Sequence, residues 1–216
     1  MRFNLSDQQS IAHQFLYELR DVNIQSDRMR FRKNMERLGE LLAYEISKTL
    51  VYTDREIRTP LENSLVKTLE NPPVLLTILR AGVPFMNGFL SVFDHADVGF
   101  VGAYREEGHA EVRIKLDYIA TPSIENRTII LVDPMLATGM SLVRAIEILL
   151  KRGRPKHIHV AALIATPVGI DRVNEFLKTV GINFSLWTCA VDEKLNDQFY
   201  IVPGLGDAGD LSFGYK

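Results

Sequence analysis

The chain predicts an α/β fold, a mostly parallel sheet with helices on both of its faces. Three observations carry that expectation. From residue 74 onward, apolar runs of strand length alternate with segments of helical periodicity, the pattern of strands joined by crossover helices. The runs VLLTIL and TIILV are apolar without alternation, as parallel strands covered on both faces are. Small-residue loops follow the strand ends, which is where open α/β sheets hold their ligands.

The elements follow in order. Ser6 with Gln9 three residues on is a capping box for a helix to about Arg20. Met35, Leu38, Leu42, Ile46 and Leu50 recur at helical spacing and mark a long second helix. Its basic start, Arg28, Arg30, Arg32 and Lys33, reads as a solvated face. Residues 1–70 are therefore expected to be a helical region preceding an α/β core at 74–191. Within that core the pattern gives a strand at 74–79, a helix from about Pro84 and a strand at 98–103. A polar hairpin with Gly108 then covers 106–115, and a further strand spans 128–132. Leu142, Val143, Ile146, Leu149 and Leu150 form the apolar face of a helix over 141–151, with Gly153 and Pro155 as stop signals. A strand at 157–164, a helix at 168–179 and a strand at 183–191 complete the core, and 192–216 form a glycine-rich tail. No low-complexity linker and no internal repeat interrupts the chain, so residues 1–216 read as one domain.

Composition narrows the function classes. A formal net charge of −2 offers no basic excess with which to neutralise nucleic-acid phosphates. The single cysteine, Cys189, lies in a run that reads as a buried strand, and one cysteine cannot form an internal disulfide. His157 and His159 alternate with apolar residues and read as sheet residues, and no His/Cys spacing suggests zinc. With no apolar run of membrane-spanning length and no signal peptide, the cytoplasm is the expected location.

The chemistry concentrates in four segments. At 133–141, DPMLATGMS places an acid at the end of a buried strand and a small-residue loop at the start of a helix. The first N–H groups of a helix have no intrahelical partner and the dipole is positive there, which makes an anion site. Gly139 allows close backbone approach, and Thr138 and Ser141 add hydroxyls. At 78–82, ILRAG puts Arg80 at a strand end, where its fixed fork of donors and permanent charge suit an anion that gains charge as it leaves. Arg105 stands at the start of the polar hairpin, placed to act when a flap closes. At 200–210, YIVPGLGDAGD has little side-chain bulk, so main-chain N–H and C=O groups can pair with a small planar base.

Together these segments resemble the type I phosphoribosyltransferases. DPMLATG, with Pro134 where most of that superfamily has a second acid, is similar to the uracil phosphoribosyltransferase branch, as are YIVPGLGDAGD, LLAYE at 41–45 and TPL at 59–61. The resemblance implies transfer of a phosphoribosyl group from 5-phospho-α-D-ribose 1-diphosphate to N1 of uracil, giving UMP and diphosphate in pyrimidine salvage. It implies that Asp133 holds the ribose hydroxyls, that Pro134, Met135 and Leu136 belong to the donor-binding segment, and that Ala137, Thr138, Gly139, Met140 and Ser141 fix the donor's 5-phosphate. Arg80, Arg105 and Asp207 fall on the diphosphate side, and Ile201, Gly206, Asp207 and Ala208 around uracil. Arg80, Arg105, Asp133 and Asp207 are the implied catalytic set.

The resemblance also implies Mg²⁺ bound mainly through diphosphate and water, with no protein metal motif. A homo-oligomer, dimer or larger, is implied too, and room is left for GTP as an effector. Departures from the family pattern are Val83-Pro84-Phe85 after ILRAG, Met140 where many members have glycine, and Leu211-Ser212 where an arginine-containing pair is usual. Two alternatives stand beside this reading: a phosphoribosyltransferase for another base, and a non-catalytic, nucleotide-sensing regulator on the same fold. A regulator that binds RNA would show a basic face with exposed aromatics, and the sequence shows no clear one.

Overall fold

The computed structural model describes residues 1–106 and 113–215, apart from the side chains of 103–117. Along the chain lie β1 (Arg2–Asn4), α1 (Ala12–Arg20), α2 (Arg28–Ser47), β2 (Tyr52–Arg58), β3 (Asn63–Leu69), β4 (Val74–Leu79), α3 (Gly82–Val92), β5 (Asp97–Glu106) and β6 (Arg113–Ala120). Then come β7 (Thr128–Val132), β8 (Met135–Leu136), α4 (Met140–Leu150), β9 (His157–Ala165), α5 (Pro167–Val180), β10 (Phe184–Val191), β11 (Lys194–Leu195), β12 (Ile201–Val202) and α6 (Ala208–Phe213). The main sheet runs β1-β10-β9-β7-β4-β5-β6, with β8 also pairing β9. Every pairing in it is parallel except that of β5 with β6. Because the central strands are parallel, their carboxyl ends, and the loops that follow them, share one edge.

The strands alternate between two cores. Leu75, Ile130, Val132, Leu163, Trp187 and Cys189 face the layer made by α1, α2 and α3. Val74, Leu76, Ile129, Leu131, Val160 and Leu186 face α4 and α5, through Leu142, Ile146, Val173 and Leu177. Sidedness of this kind follows from the two-residue period of a strand. The α2–α3 crossing is unusually close: a Cβ on Gly88 would sit 2.0 Å from the Glu36 carbonyl, and one on Gly39 2.3 Å from that of Phe85. Neither position admits any other residue without separating the helices.

The expectation of a wholly helical region at 1–70 is corrected. Residues 2–4 form an edge strand pairing with β10, and β2 and β3 make an antiparallel hairpin separate from the main sheet. Thr59 makes the hairpin turn, its hydroxyl oxygen accepting from the N–H groups of Leu61 and Glu62. Local helical periodicity ends with α2, and cross-strand pairing, invisible to it, decides the next twenty residues. The Ser6 capping box is corrected too: Ser6 lies in a 3-10 turn and donates to the Cys189 carbonyl, while the Ser10 hydroxyl accepts from Ala12 N at 3.3 Å as α1 starts. Proximity to β10 offers Ser6 an acceptor that its own helix would not.

Candidate active site

The loop after β7 is built so that its carbonyls are engaged on one side. Thr77, fully buried in β4, donates its hydroxyl to the Val132 carbonyl at 3.1 Å, and Asp133 N–H donates to the Ala161 carbonyl at 3.0 Å, which fixes the strand end on both flanks. The Asp133 carboxylate accepts from Met135 N–H at 3.3 Å. Beyond it, the Leu136 carbonyl accepts from Thr166 N–H at 3.0 Å, the Ala137 carbonyl from the Thr166 hydroxyl at 2.6 Å, and the Thr138 carbonyl from the Arg172 guanidinium.

With those carbonyls tied to the start of α5, the N–H groups of Thr138 and Gly139 find no protein acceptor among the described residues. They stand just ahead of the first turn of α4. Gly139 has φ of +76°, which glycine alone adopts freely, and occupies the N-cap position of α4. Oriented N–H groups ahead of a helix start form a concavity for an anion. Thr138 is nearly buried, and its hydroxyl oxygen accepts from Met140 N–H at 3.4 Å.

Sequence reasoning missed the backing. Gly169 lies so close behind the loop that a Cβ there would be 2.4 Å from the Ala137 carbonyl. Thr166 caps α5 by accepting from Gly169 N–H at 3.0 Å while donating to the loop, so one hydroxyl serves helix and cradle together. The signal was present: Thr-Pro followed by Gly reads as an N-cap with proline at N1, though nothing in it announces a partner thirty residues upstream.

Arg80 follows β4, the neighbour of β7, so it and Asp133 leave adjacent strands at the same edge. Its guanidinium meets Asp210 of the tail at 3.2 Å, and the side chain stays 41% exposed. Asp207 caps α6, accepting from Gly209 and Asp210 N–H groups at 2.8 and 3.0 Å. A Cβ on Gly209 would lie 3.1 Å from the Asp207 carboxylate and 3.8 Å from the Arg80 guanidinium, so this glycine is where the arginine loop and the tail meet.

The tail's remaining candidates are ordered in different ways. Ile201 pairs with Leu195 in the small β11–β12 sheet and is buried, Ala208 is buried in α6, and Gly206 is exposed with φ of +91°. Met135 and Leu136 form the short β8, pairing with Ile164 and Ala165, and Ile164 N–H donates to the carbonyl of Pro134 just before it. Ser141 lies in the first turn of α4. Of the hairpin, β5 and β6 pair antiparallel, but residues 107–112 and the Arg105 side chain lie outside the described residues.

Two further groups support the tail. Arg32 of α2 donates to the Ser212 carbonyl at 2.7 Å, so the basic start of α2 is more than a solvated face, and it anchors the tail where the family's arginine pair is absent. Arg20 and Asp192 grip the turn at Gly204. Separately, a cavity of about 340 Å³ lies at the opposite, amino-terminal edge of the sheet, lined in part by Thr128, His157, His159 and Ser185. His157 and His159 are sheet residues there, and burial pushes the His159 imidazole down to about 3.

Solved structures share the fold. The fold matches a hypoxanthine phosphoribosyltransferase from Staphylococcus aureus with a TM-score of 0.51 at 16% identity, over 87% of this chain and 84% of that one. A solved Aquifex aeolicus protein matches far more closely, with a TM-score of 0.87 at 32% identity over 99% and 98% of the two chains. The architecture is that of a type I phosphoribosyltransferase.

Within that class the sequence is specific. The family model described as uracil phosphoribosyltransferase matches residues 6–214. A uracil phosphoribosyltransferase from Porphyromonas gingivalis is 44% identical over 99% of this chain and 98% of its own length. Another from Pyrococcus furiosus is 42% identical over 93% of this chain and 85% of its own. The chain belongs to the uracil phosphoribosyltransferase family. Neither a different base nor a regulatory role finds support in these matches.

Proposed function

We propose that this chain transfers the phosphoribosyl group of 5-phospho-α-D-ribose 1-diphosphate to N1 of uracil. The bond between C1 and the diphosphate oxygen breaks, the N1–C1 bond forms, the N1 proton is released, and UMP and diphosphate leave. The observation that carries the reading is the family match across 6–214, which spans phosphate cradle and tail alike. As the C1–oxygen bond lengthens, positive charge grows on the ribose and negative charge on the diphosphate, so catalysis is largely positioning and charge stabilisation. Arg80, exposed at the carboxyl edge, and Arg105 serve the departing diphosphate, Asp133 the ribose hydroxyls and the 137–141 loop the 5-phosphate. The tail offers uracil main-chain groups from Ile201, Gly206 and Ala208, with Asp207 between base and diphosphate.

Exposed Asp207 and half-buried Asp133 are hard oxygen donors of the kind that suits magnesium, which keeps most of its water and meets phosphate oxygens. When bound, magnesium would neutralise charge on the diphosphate. A homo-oligomer is supported by the β2–β3 hairpin, where Leu61 and Leu65 are 95% and 70% exposed on a unit that has no third strand among the described residues. Cytoplasmic location and GTP as an effector rest on sequence and family resemblance alone. Among the described residues no helix is long and apolar enough to cross a membrane.

The test is turnover: purified protein, magnesium, the diphosphate donor and labelled uracil should yield labelled UMP. No UMP from folded protein would overturn the reading.

A further inference from the structure

The turn carrying the implied base-binding groups is held by an ion pair between two residues outside the implied donor and uracil sets. Arg20, the last residue of α1, presents its fork to Asp192 just past the end of β10, with Nη1 2.7 Å from Oδ2 and Nη2 2.9 Å from Oδ1. Both partners also take hold of Gly204. Arg20 Nη1 donates to its carbonyl at 3.0 Å, and Asp192 Oδ2 accepts from its N–H at 2.8 Å. Gly204 thereby has both its backbone groups committed. Its φ is +59°, and a Cβ would lie 2.1 Å from the Ile201 carbonyl, so the turn closes tightly between Ile201 and Gly206. Asp192 N–H in turn donates to the Ala165 carbonyl at 2.8 Å, next to Thr166, which backs the phosphate loop.

Burial gives this arrangement its meaning. The Asp192 side chain is 8% exposed and that of Arg20 25%. An ion pair so far from water recovers little net stability over an apolar pair of the same shape, because desolvation offsets the attraction. What it supplies is geometry: a planar fork and a carboxylate fix distance and angle in a way that apolar contact does not.

We propose that Arg20 and Asp192 are positioning residues for uracil. They clamp the Gly204 turn so that the main-chain groups on either side of it present the base-pairing pattern, and they thereby set uracil affinity independently of donor affinity. The proposal rests on the reading of the reaction given above.

The experiment compares Arg20→Lys and Asp192→Asn with the parent protein, measuring KM for uracil, KM for the donor and kcat. Turnover of uracil by the parent protein tests the reaction itself, and its absence would sink that reading rather than the clamp. Given turnover, Arg20→Lys, which keeps the charge and loses the fork, should raise KM for uracil about tenfold or more. KM for the donor should move less than about twofold. Asp192→Asn should act in the same direction. In addition, hydrogen exchange of the Gly204 amide should be slow in the parent and fast in Asp192→Ala, which removes the acceptor, a readout that needs no activity. Unchanged KM for uracil in a folded variant, or equal losses for uracil and donor, would overturn the proposal. If Arg20→Lys does not fold, Asp192→Asn decides by the same criteria, and a Gly204 amide still protected in folded Asp192→Ala would also overturn it.

Discussion

The candidate phosphate loop and the candidate base-binding tail lie at the same edge of the sheet, yet they are held in opposite ways. The loop is a local device. Its strand, turn and helix are contiguous in sequence, and its backing comes from Thr166 and Arg172, 29 and 34 residues from the carbonyls they hold. The tail is held from the far end of the chain, by Arg32 across 180 residues and Arg20 across 184. A phosphate is a compact anion that a single helix start can satisfy. A planar base needs several polar groups placed around its rim, and a chain with little side-chain bulk must borrow rigidity from elsewhere to place them.

The contrast predicts that damage to the two regions separates. The largest effect should appear in base choice. Cytosine presents an amine at position 4 and an unprotonated N3, leaving buried main-chain groups unpaired, and should lose a factor of about 10⁴ in kcat/KM against uracil. 5-Fluorouracil, with the same pairing edge, should be accepted. Side-by-side turnover checks this, and comparable use of cytosine would break the comparison by showing that the tail does not read the base.

Next in size, Arg80→Ala should lower kcat by about 10²- to 10³-fold with a smaller effect on uracil binding. Lysine should restore only part, since it keeps the charge without the fork. Steady-state kinetics on both variants decide it, and near-normal kcat in Arg80→Ala would remove that role.

Gly169→Ala tests the local region. Its new Cβ would press on the Ala137 carbonyl, and a displaced loop should weaken donor binding on the order of tenfold to a hundredfold, with uracil selectivity unchanged. Calorimetric titration of donor against variant and parent reads it. Arg32→Met tests the distant support: loss of the bond to the Ser212 carbonyl should cost about 1.5–3 kcal/mol of stability, seen as a lower denaturation midpoint, while donor affinity holds.

A last effect sits away from both regions. Burial, and then the charge of His157, depress the His159 imidazole from its ordinary 6.5 to about 3, and its Nδ1 accepts from the Trp187 indole N–H at 3.1 Å. Between those values the unfolded chain takes up a proton that the folded chain refuses. Stability should therefore fall as pH drops from 6.5 toward 3, by at most about 1.4 kcal/mol per pH unit from this group. His159→Gln should flatten that part of the profile, and denaturant midpoints across the range would show it.

What the sequence made legible follows the same division. Strands 74–79 and 128–132 are found where the apolar runs place them, and α4 begins within a residue of its expected start, because a buried parallel strand and an amphipathic helix each carry their own signal. The placement of Arg80 and of the 133–141 loop at adjacent strand ends was legible for the same reason. Residues 52–69 were not, since β2 is exposed along its whole length and β3 alternates only between exposed and half-buried, so neither carries the apolar run that marks a core strand. Nor were Thr77, Gly169, Arg20 or Asp192, whose roles exist only where strands, helices and tail have been brought together. Asp207 was legible as part of a motif, whereas its capping of α6 was not.

The grip of α1 and α2 on the tail also sets an order of assembly during synthesis. A growing chain has the cradle, its backing helix and most of the parallel strands in hand once α5 has been made. The contacts at Gly204 and Ser212 must wait until almost the whole sequence has left the ribosome, because each joins residues some 180 positions apart. Nascent chains would thus complete the candidate phosphate loop well before the candidate base-binding tail.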